Sequence, residues 1–158
     1  MPDEPLRIGL ISDTHGLLRP GVYQAFAGVE LILHAGDVEG DEILDALEMI
    51  APVRAVFGNC DRRGNPRLSS SVEMTAGGLR LHVSHGHELG VPSPERLLER
   101  YDADVLIYGH THKPLITRAG DRLVVNPGAA GPRRFDLQPS VGILTILTGV
   151  AEAGIVSL

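Results

Sequence analysis

Leu6-Arg7-Ile8-Gly9-Leu10-Ile11-Ser12-Asp13-Thr14-His15 decides the fold, because a largely apolar run ends there on a carboxylate and an imidazole. A strand covered on both faces reads as such a near-continuous apolar run. The event recurs four more times. Leu31 to Ala35 leads into Gly36-Asp37, Val53 to Phe57 into Gly58-Asn59, Leu79 to Val83 into Ser84-His85-Gly86-His87, and Val105 to Tyr108 into Gly109-His110-Thr111-His112. Loops leaving the carboxyl ends of parallel strands are where α/β sheets gather functional groups. Together these junctions carry imidazoles and carboxylates to one sheet edge, a composition suited to a two-metal centre.

Helical patterns separate the first strands. After the strand Leu6 to Ser12, Pro20 opens a helix through Ala27, with proline at a tolerated first-turn position. Asp41 to Ile50 places Ile43, Leu44, Leu47 and Ile50 at helical spacing, and Pro52 stops it. This βαβαβ order predicts parallel pairing with right-handed crossovers. The second half changes to period-two alternation. Ser71 to Thr75 and Leu79 to Val83 flank Ala76-Gly77-Gly78 as a hairpin, and Leu115 to Arg118 and Arg122 to Val125 flank Ala119-Gly120-Asp121 as another. Pro94 to Tyr101 reads as a short helix with Leu97 and Leu98 inward. Val141 to Leu147 and Gly154 to Val156 are expected to run antiparallel across a turn near Gly149, after a long loop from Gly128 to Ser140. So many mixed strands predict two packed sheets with helices outside them, a layered α/β sandwich.

Composition narrows the function. The 158 residues suit a single domain, residues 1–158, with ordinary globular contents of 43% hydrophobic and 22% charged residues. No apolar stretch approaches the roughly 20 residues of a membrane span. The amino terminus shows no basic region before an apolar core, and the single cysteine, Cys60, fits a reducing compartment, so a cytoplasmic protein is expected. A formal charge of −6 and 4% aromatic residues argue against stable nucleic-acid binding. They leave open a small nucleotide-like substrate, since bound dications would reverse the local field.

Residue chemistry then orders the candidates. Asp13 and His15 are placed to turn toward one ion, and Asp37, at the matching position after the second strand, is the natural bridge. Asn59 offers a neutral amide oxygen, leaving net positive charge for an anionic substrate. His85 follows a hairpin strand, and His110 and His112 are spaced to face the centre together in extended backbone. His34 and His82 lie inside apolar runs and read as structural. His87 is open between contact with substrate and support of a ligand, and Cys60 between a buried small residue and a participant. Arg133 and Arg134 are either a solvated pair or one of them reaches a substrate phosphate. The acidic residues Asp41, Glu42, Asp45 and Glu48 form a solvent face of their helix.

The ordered motifs Asp13-Thr14-His15, Gly36-Asp37, Gly58-Asn59-Cys60-Asp61, Ser84-His85-Gly86-His87, Gly109-His110-Thr111-His112 and Asn126-Pro127-Gly128 resemble the calcineurin-like metallophosphoesterase superfamily, in particular its small YfcE-like phosphodiesterase branch. The resemblance implies a four-layer αββα sandwich of two mixed sheets and a dinuclear centre. Asp13, His15, Asp37 and His112 would hold one ion, and Asp37, Asn59, His85 and His110 the other. Manganese leads the candidate metals, with iron, zinc, nickel and cobalt behind it. The implied activity is hydrolysis of phosphate esters, specifically diesters, by in-line attack of a metal-bridging hydroxide, with Asp37, Asn59 and His85 central to catalysis. Ligation needs deprotonated imidazoles, so activity is expected to fall as pH drops through the histidine range. Larger members carry a histidine where Cys60 stands here, which leaves the general acid unassigned. Asp61 is expected to orient a ligand imidazole, and Cys60, His87 and Arg133 stay open between supporting the centre and touching substrate. A eukaryotic retromer subunit resembles the same branch, so a metal-binding scaffold for protein assembly is the alternative. Exposed apolar positions on the hairpins allow a homodimer or higher homo-oligomer.

Overall fold

The computed structural model describes residues 4–134 and 136–158. Its first half runs β1 (Leu6–Ile11), α1 (Gly21–Ala25), β2 (Leu31–His34), α2 (Asp41–Glu48), β3 (Val53–Val56) and β4 (Leu68–Ser69). The second half adds β5 (Val72–Ala76), β6 (Leu79–Val83), a 3₁₀ turn at His87–Leu89, α3 (Pro94–Arg100), β7 (Val105–Ile107), β8 (Leu115–Ala119), β9 (Arg122–Asn126), β10 (Ser140–Leu147) and β11 (Val150–Ser157). One sheet has the order β11-β10-β1-β2-β3-β4 and the other β5-β6-β7-β9-β8. β1, β2 and β3 are parallel, as their alternation with helices requires, and β6, β7 and β9 form a second parallel set.

Strand alternation builds the layers. Ile8 and Leu10 of β1, Leu33 of β2, Val56 of β3, Leu81 and Val83 of β6, Val105 and Ile107 of β7 and Leu123 and Val125 of β9 share the core between the sheets. Ile11, Ile32 and Ala55 point the other way, onto Val22 of α1 and Phe26 at its end and onto Leu44 and Leu47 of α2. Leu106 and Val124 meet Leu97 of α3 beyond the second sheet. Both parallel sets are covered on both faces, which is why their sequences read as near-continuous apolar runs. At Gly9 a Cβ would stand 2.9 Å from the Phe26 ring, so the close docking of α1 on β1 needs glycine there.

Helix ends follow local chemistry. Ser93 Oγ accepts the Arg96 N–H at the start of α3, with Pro94 in the first turn. Arg122 donates to the carbonyls of Leu98, Tyr101 and Ala103, tying the end of α3 to β9. The acidic face of α2 meets Arg67, whose guanidinium lies 2.8 Å from Asp45 and 3.0 Å from Glu48. These exposed pairs contribute little each.

The structure departs from the sequence reading mainly at boundaries. α1 is shorter than Pro20 to Ala27, because Pro20 acts as its cap and Gly28, at φ 83°, has already turned. β4 escapes the pattern because two residues carry no periodicity. β11 is longer than Gly154 to Val156, since full pairing with β10 from Val150 to Ser157 outweighs the interruptions at Glu152 and Gly154. No helix among the described residues is long and apolar enough to cross a membrane.

His34, fully buried at the end of β2, ties the first two loops together. The Gly36 N–H donates to its Nδ1 (3.1 Å), so its Nε2–H donates to Thr14 Oγ1 (3.0 Å), and the Thr14 hydroxyl donates in turn to Val38 O (3.0 Å). Burial lowers its pKa from 6.5 to about 4, against the pull of Asp13. The folded chain therefore refuses a proton that the unfolded chain accepts, so stability is intact above pH 6.5 and is lost as pH falls toward 4. Urea unfolding is expected to show about 2 kcal/mol of this loss between pH 7.5 and 5. A His34→Gln variant, compared over the same interval, should have a correspondingly shallower slope.

Candidate metal centre

The five run-to-turn junctions converge on one rim. Asp13 and His15 leave β1, Asp37 leaves β2, Asn59 leaves β3, His85 leaves β6, and His110 and His112 leave β7. The first two loops are zipped by backbone bonds from Asp13 N–H to Gly36 O, His15 N–H to Asp37 O and Gly16 N–H to Val38 O, each 2.9 or 3.0 Å. Asp13, His15, Asp37, His110 and His112 all take positive φ, between 45° and 71°. Left-handed backbone costs a non-glycine residue about 1–2 kcal/mol. Here it aims each side chain inward from a sharp turn, so the strain is gathered where the functional groups meet. Two glycines make room: a Cβ at Gly58 would collide with the Asp37 carboxylate, and one at Gly109 with Ser12 Oγ and Asp13.

The geometry falls into two overlapping groups. In the first, His112 Nε2 lies 3.3 Å and His15 Nε2 3.7 Å from Asp13 Oδ1, the two imidazole nitrogens are 3.3 Å apart, and His15 Nε2 is 3.8 Å from Asp37 Oδ2. In the second, His85 Nε2 lies 3.2 Å from Asp37 Oδ2 and 3.0 Å from Asn59 Oδ1, with His110 Nδ1 3.2 Å from Asn59 and 3.3 Å from His85. Atoms coordinated at about 2.1 Å to one ion stand about 3.0–3.4 Å apart, so these spacings match shared ligation. Asp13 also approaches His85, at 3.9 Å, which joins the groups at their base.

Tautomers sharpen the picture. His85 Nδ1–H donates to Ala35 O (2.7 Å), and His15 Nδ1–H donates to Glu39 Oε2 (2.5 Å). In the neutral rings both Nε2 atoms are then lone pairs turned toward carboxylates. Asp13 Oδ2 accepts from Ser12 Oγ (2.6 Å) and the His110 N–H (3.2 Å), whereas its buried Oδ1 has no donor. Buried acceptors facing lone pairs are costly unless positive charge lies between them. This donor set fits a divalent cation.

Electrostatics point the same way. Burial opposes ionisation of Asp37, but the hydrogen bond and charge of His85, with the Cys60 N–H and His15, overcome it and hold the carboxyl well below the usual range. Burial likewise disfavours charge on His85, yet Asp37 and Asp13 more than compensate and raise its pKa. Positive charge is thus favoured at His85 Nε2, supplied either by a proton or by a metal. His110 is lowered, first by burial and then by His85.

The surrounding residues divide. Cys60 is exposed, not a buried small residue, and contributes its backbone: its N–H donates to Asp37 Oδ1 (2.8 Å), while partial desolvation and then the nearby Asp37 and Glu39 push the thiol up to about 11. Asp61 does not orient an imidazole. Its carboxylate accepts the N–H groups of Val38 (3.2 Å), Glu39 (2.8 Å) and Gly58 (2.8 Å), because the turn after Asn59 points it back under the β2 loop. The carboxylate that orients a ring is Glu39, on His15. Glu39 carries little signal in the sequence, only an acidic residue two places after Asp37 and before Gly40. Asn126 braces the β7 loop through Gly109 O and Thr111 Oγ1. His87 stands beside this centre, its ring centroid 5.3 Å from that of His85, and Arg133 and Arg134 line a shallow depression with His112. His82 is buried against Tyr101, with ring centroids 3.8 Å apart, away from the rim.

The chain belongs to the calcineurin-like phosphoesterase superfamily, whose domain model matches residues 6–149. A probable metallophosphoesterase of Methanothermobacter thermautotrophicus is 41% identical over 150 residues, covering 88% of this chain and 85% of its own. The phosphodiesterase YfcE of Escherichia coli is 30% identical over 163 residues, covering 88% of this chain and 87% of its own. Among solved structures, wild-type Vps29 of Entamoeba histolytica complexed with Zn²⁺ is similar with a TM-score of 0.74 and 25% identity, covering 96% of this chain and 99% of that one. The four-layer sandwich of two mixed sheets is therefore the fold of this family.

Two substitutions separate support of the loops from support of the ring. Asp61→Ala strands three backbone donors and is expected to cost about 2–4 kcal/mol in urea unfolding. Glu39→Gln should leave stability nearly unchanged but weaken Mn²⁺ binding, followed calorimetrically, about 10–100-fold.

Proposed function

We propose that this protein is a metal-dependent phosphoesterase, specifically a phosphodiesterase, with two divalent cations held by the seven converging side chains. Asp13, His15, Asp37 and His112 would hold one ion, and Asp37, Asn59, His85 and His110 the other. The observation that carries the reading is the buried, donorless Asp13 Oδ1 facing imidazole nitrogens at 3.3, 3.7 and 3.9 Å. Membership of the superfamily and the phosphodiesterase name of a 30%-identical relative support the reaction class. Manganese is the preferred ion, although the Zn²⁺ complex of the Vps29 relative supports zinc as well.

The chain's own residues set up an in-line displacement. Bound dications would supply a water of lowered pKa and neutralise the nonbridging phosphoryl oxygens. Asp37 and Asp13 orient what lies between the loops and keep the rim from excessive positive charge. Asn59, exposed and uncharged, leaves its amide N–H₂ for a phosphoryl oxygen once its Oδ1 is engaged. His85 is held by Ala35 O and His15 by Glu39, so neither ring needs to reorganise during the reaction. Cys60, with its thiol pushed up to about 11, is a weak acid, and proton delivery to the leaving group falls to water or to His87 at the rim. Substrates with good leaving groups are accordingly favoured. The whole chain acts as one domain of this kind, working on small esters in the cytoplasm, without a stable nucleic-acid complex, as a monomer or homo-oligomer.

A second reading, a metal-binding scaffold for protein assembly, draws on the Vps29 likeness. The two diverge in a direct assay. Metal-loaded protein should hydrolyse bis(p-nitrophenyl) phosphate faster than p-nitrophenyl phosphate, and Asp37→Ala and His85→Ala should each lower kcat/KM by at least about a hundredfold. Equal turnover by metal-stripped protein or by Asp37→Ala would refute the enzymatic reading, and stoichiometric metal without turnover would favour the scaffold.

A further inference from the structure

We propose that Arg62 and Arg63 form a subsite for a second phosphate, carried on the arm of the substrate that is not cleaved; this deepens the phosphodiesterase reading above and rests on it. Next to the rim lies a groove of about 610 Å³ with Asp41, Asp61, Arg62 and Arg63 in its walls; its links to the candidate ligands are Cys60, which follows Asn59 and donates its N–H to Asp37, and Glu39, which accepts from His15. That volume suits a small ligand with more than a single phosphate to place.

The groove lining carries three carboxylates, on Glu39, Asp41 and Asp61, against the guanidinium groups of Arg62 and Arg63, so what favours an anion there is the placement of free donors and not net charge. Its acidic side chains already have partners. Asp61 is committed to three backbone N–H groups, Glu39 to His15, and Asp41 to Asn65 Nδ2 at 2.8 Å. The two guanidinium groups have none: among the described residues neither Arg62 nor Arg63 makes a hydrogen bond or ion pair, and both are exposed. Arg67 and Arg80, also on this chain's surface, are by contrast tied to carboxylates. On a chain of formal charge −6, adjacent unpaired arginines beside the reaction centre are an attractive point for an anion. Guanidinium presents a planar fork of donors that matches phosphate oxygens, so a terminal phosphate is favoured over a neutral or cationic arm.

The turn also explains how the arginines are presented. Asp61, immediately before them, is anchored under the β2 loop, and Asn65, just after, bonds to Asp41 of α2. Both ends of the segment are therefore fixed to the scaffold, while Arg62 and Arg63 are left free. Neither arginine touches the candidate metal ligands, so replacing them leaves the reacting centre intact.

The test compares thymidine 3′,5′-bisphosphate with thymidine 5′-monophosphate as calorimetric ligands of the manganese-loaded protein, and hydrolysis of bis(p-nitrophenyl) phosphate as a separate readout. Wild-type protein is expected to bind the bisphosphate at least about tenfold more tightly, and Arg62→Gln/Arg63→Gln to bind the two ligands within about twofold of each other. Each single substitution should give an intermediate ratio. The double variant should hydrolyse bis(p-nitrophenyl) phosphate, which has no second phosphate, at the wild-type rate. Equal affinities in the wild type, no measurable binding of either nucleotide, or a preference that survives the double substitution would overturn the subsite. Absence of hydrolysis by the wild type with the affinity ratio intact would instead overturn the phosphodiesterase reading and leave an anion-binding groove.

Discussion

Two buried carboxylates set against imidazoles are the constraint around which the molecule is organised. Asp13 and Asp37 sit at the ends of adjacent parallel strands, and the imidazoles of His15, His85 and His112 face them across the rim at 3.2–3.8 Å. Left as bare acceptors and lone pairs, these groups would be a liability, since desolvated polar groups without partners are among the costliest features of a folded chain. The chain nevertheless adopts left-handed backbone at Asp13, His15, Asp37, His110 and His112 to bring them there. Strain gathered at so many points of one rim matches a site built for an occupant, and the proposed cations would engage Asp13 Oδ1, the buried acceptor there that no donor reaches.

The two sheets make this convergence possible. A single parallel sheet would line up loop ends along an edge, spread at about 4.8 Å per strand. Packing β1, β2 and β3 face to face with β6 and β7 instead brings loop ends together from both sides, and the shared core from Ile8 to Val125 fixes their separation. Around that core the supporting bonds are mostly to backbone. Asp61 fastens the β2 and β3 loops, Asn126 braces the β7 loop, and His34 with Thr14 joins the β1 and β2 loops. Bonds of this kind fix the loop ends in place, so the proposed centre is assembled by the fold itself.

The surroundings of the rim differ in what they leave unsatisfied. On the side of β3 the carboxylates are engaged and Arg62 and Arg63 are not; on the side of the Asn126-Pro127-Gly128 turn, Arg133 and Arg134 are exposed beside His112. Basic residues therefore flank the centre on an otherwise acidic chain. That distribution suits an anionic ligand drawn to a small region of the surface, and it is invisible in net charge, which averages over the whole chain.

Apart from β4 and the full length of β11, the strands, the outer helices and the residue types at the rim are legible in the sequence. Parallel strands buried on both faces must be nearly continuous in apolar residues, and the residue that ends such a run is at a loop mouth wherever the strand lies. The runs ending at Asp13, Asp37, Asn59, His85 and His110 were legible for that reason. Weak or non-local signals were not: β4 is too short for a period, and β11 is held by register with β10 across residues that read as polar. Only the tertiary structure decided which carboxylate serves which ring. Glu39 reaches His15 because the β1 and β2 loops are zipped side by side, and Asp61 turns to the backbone because Val38, Glu39 and Gly58 present their N–H groups beneath it. Those choices depend on distances between segments far apart in the chain, and such distances come from packing the two sheets on one another.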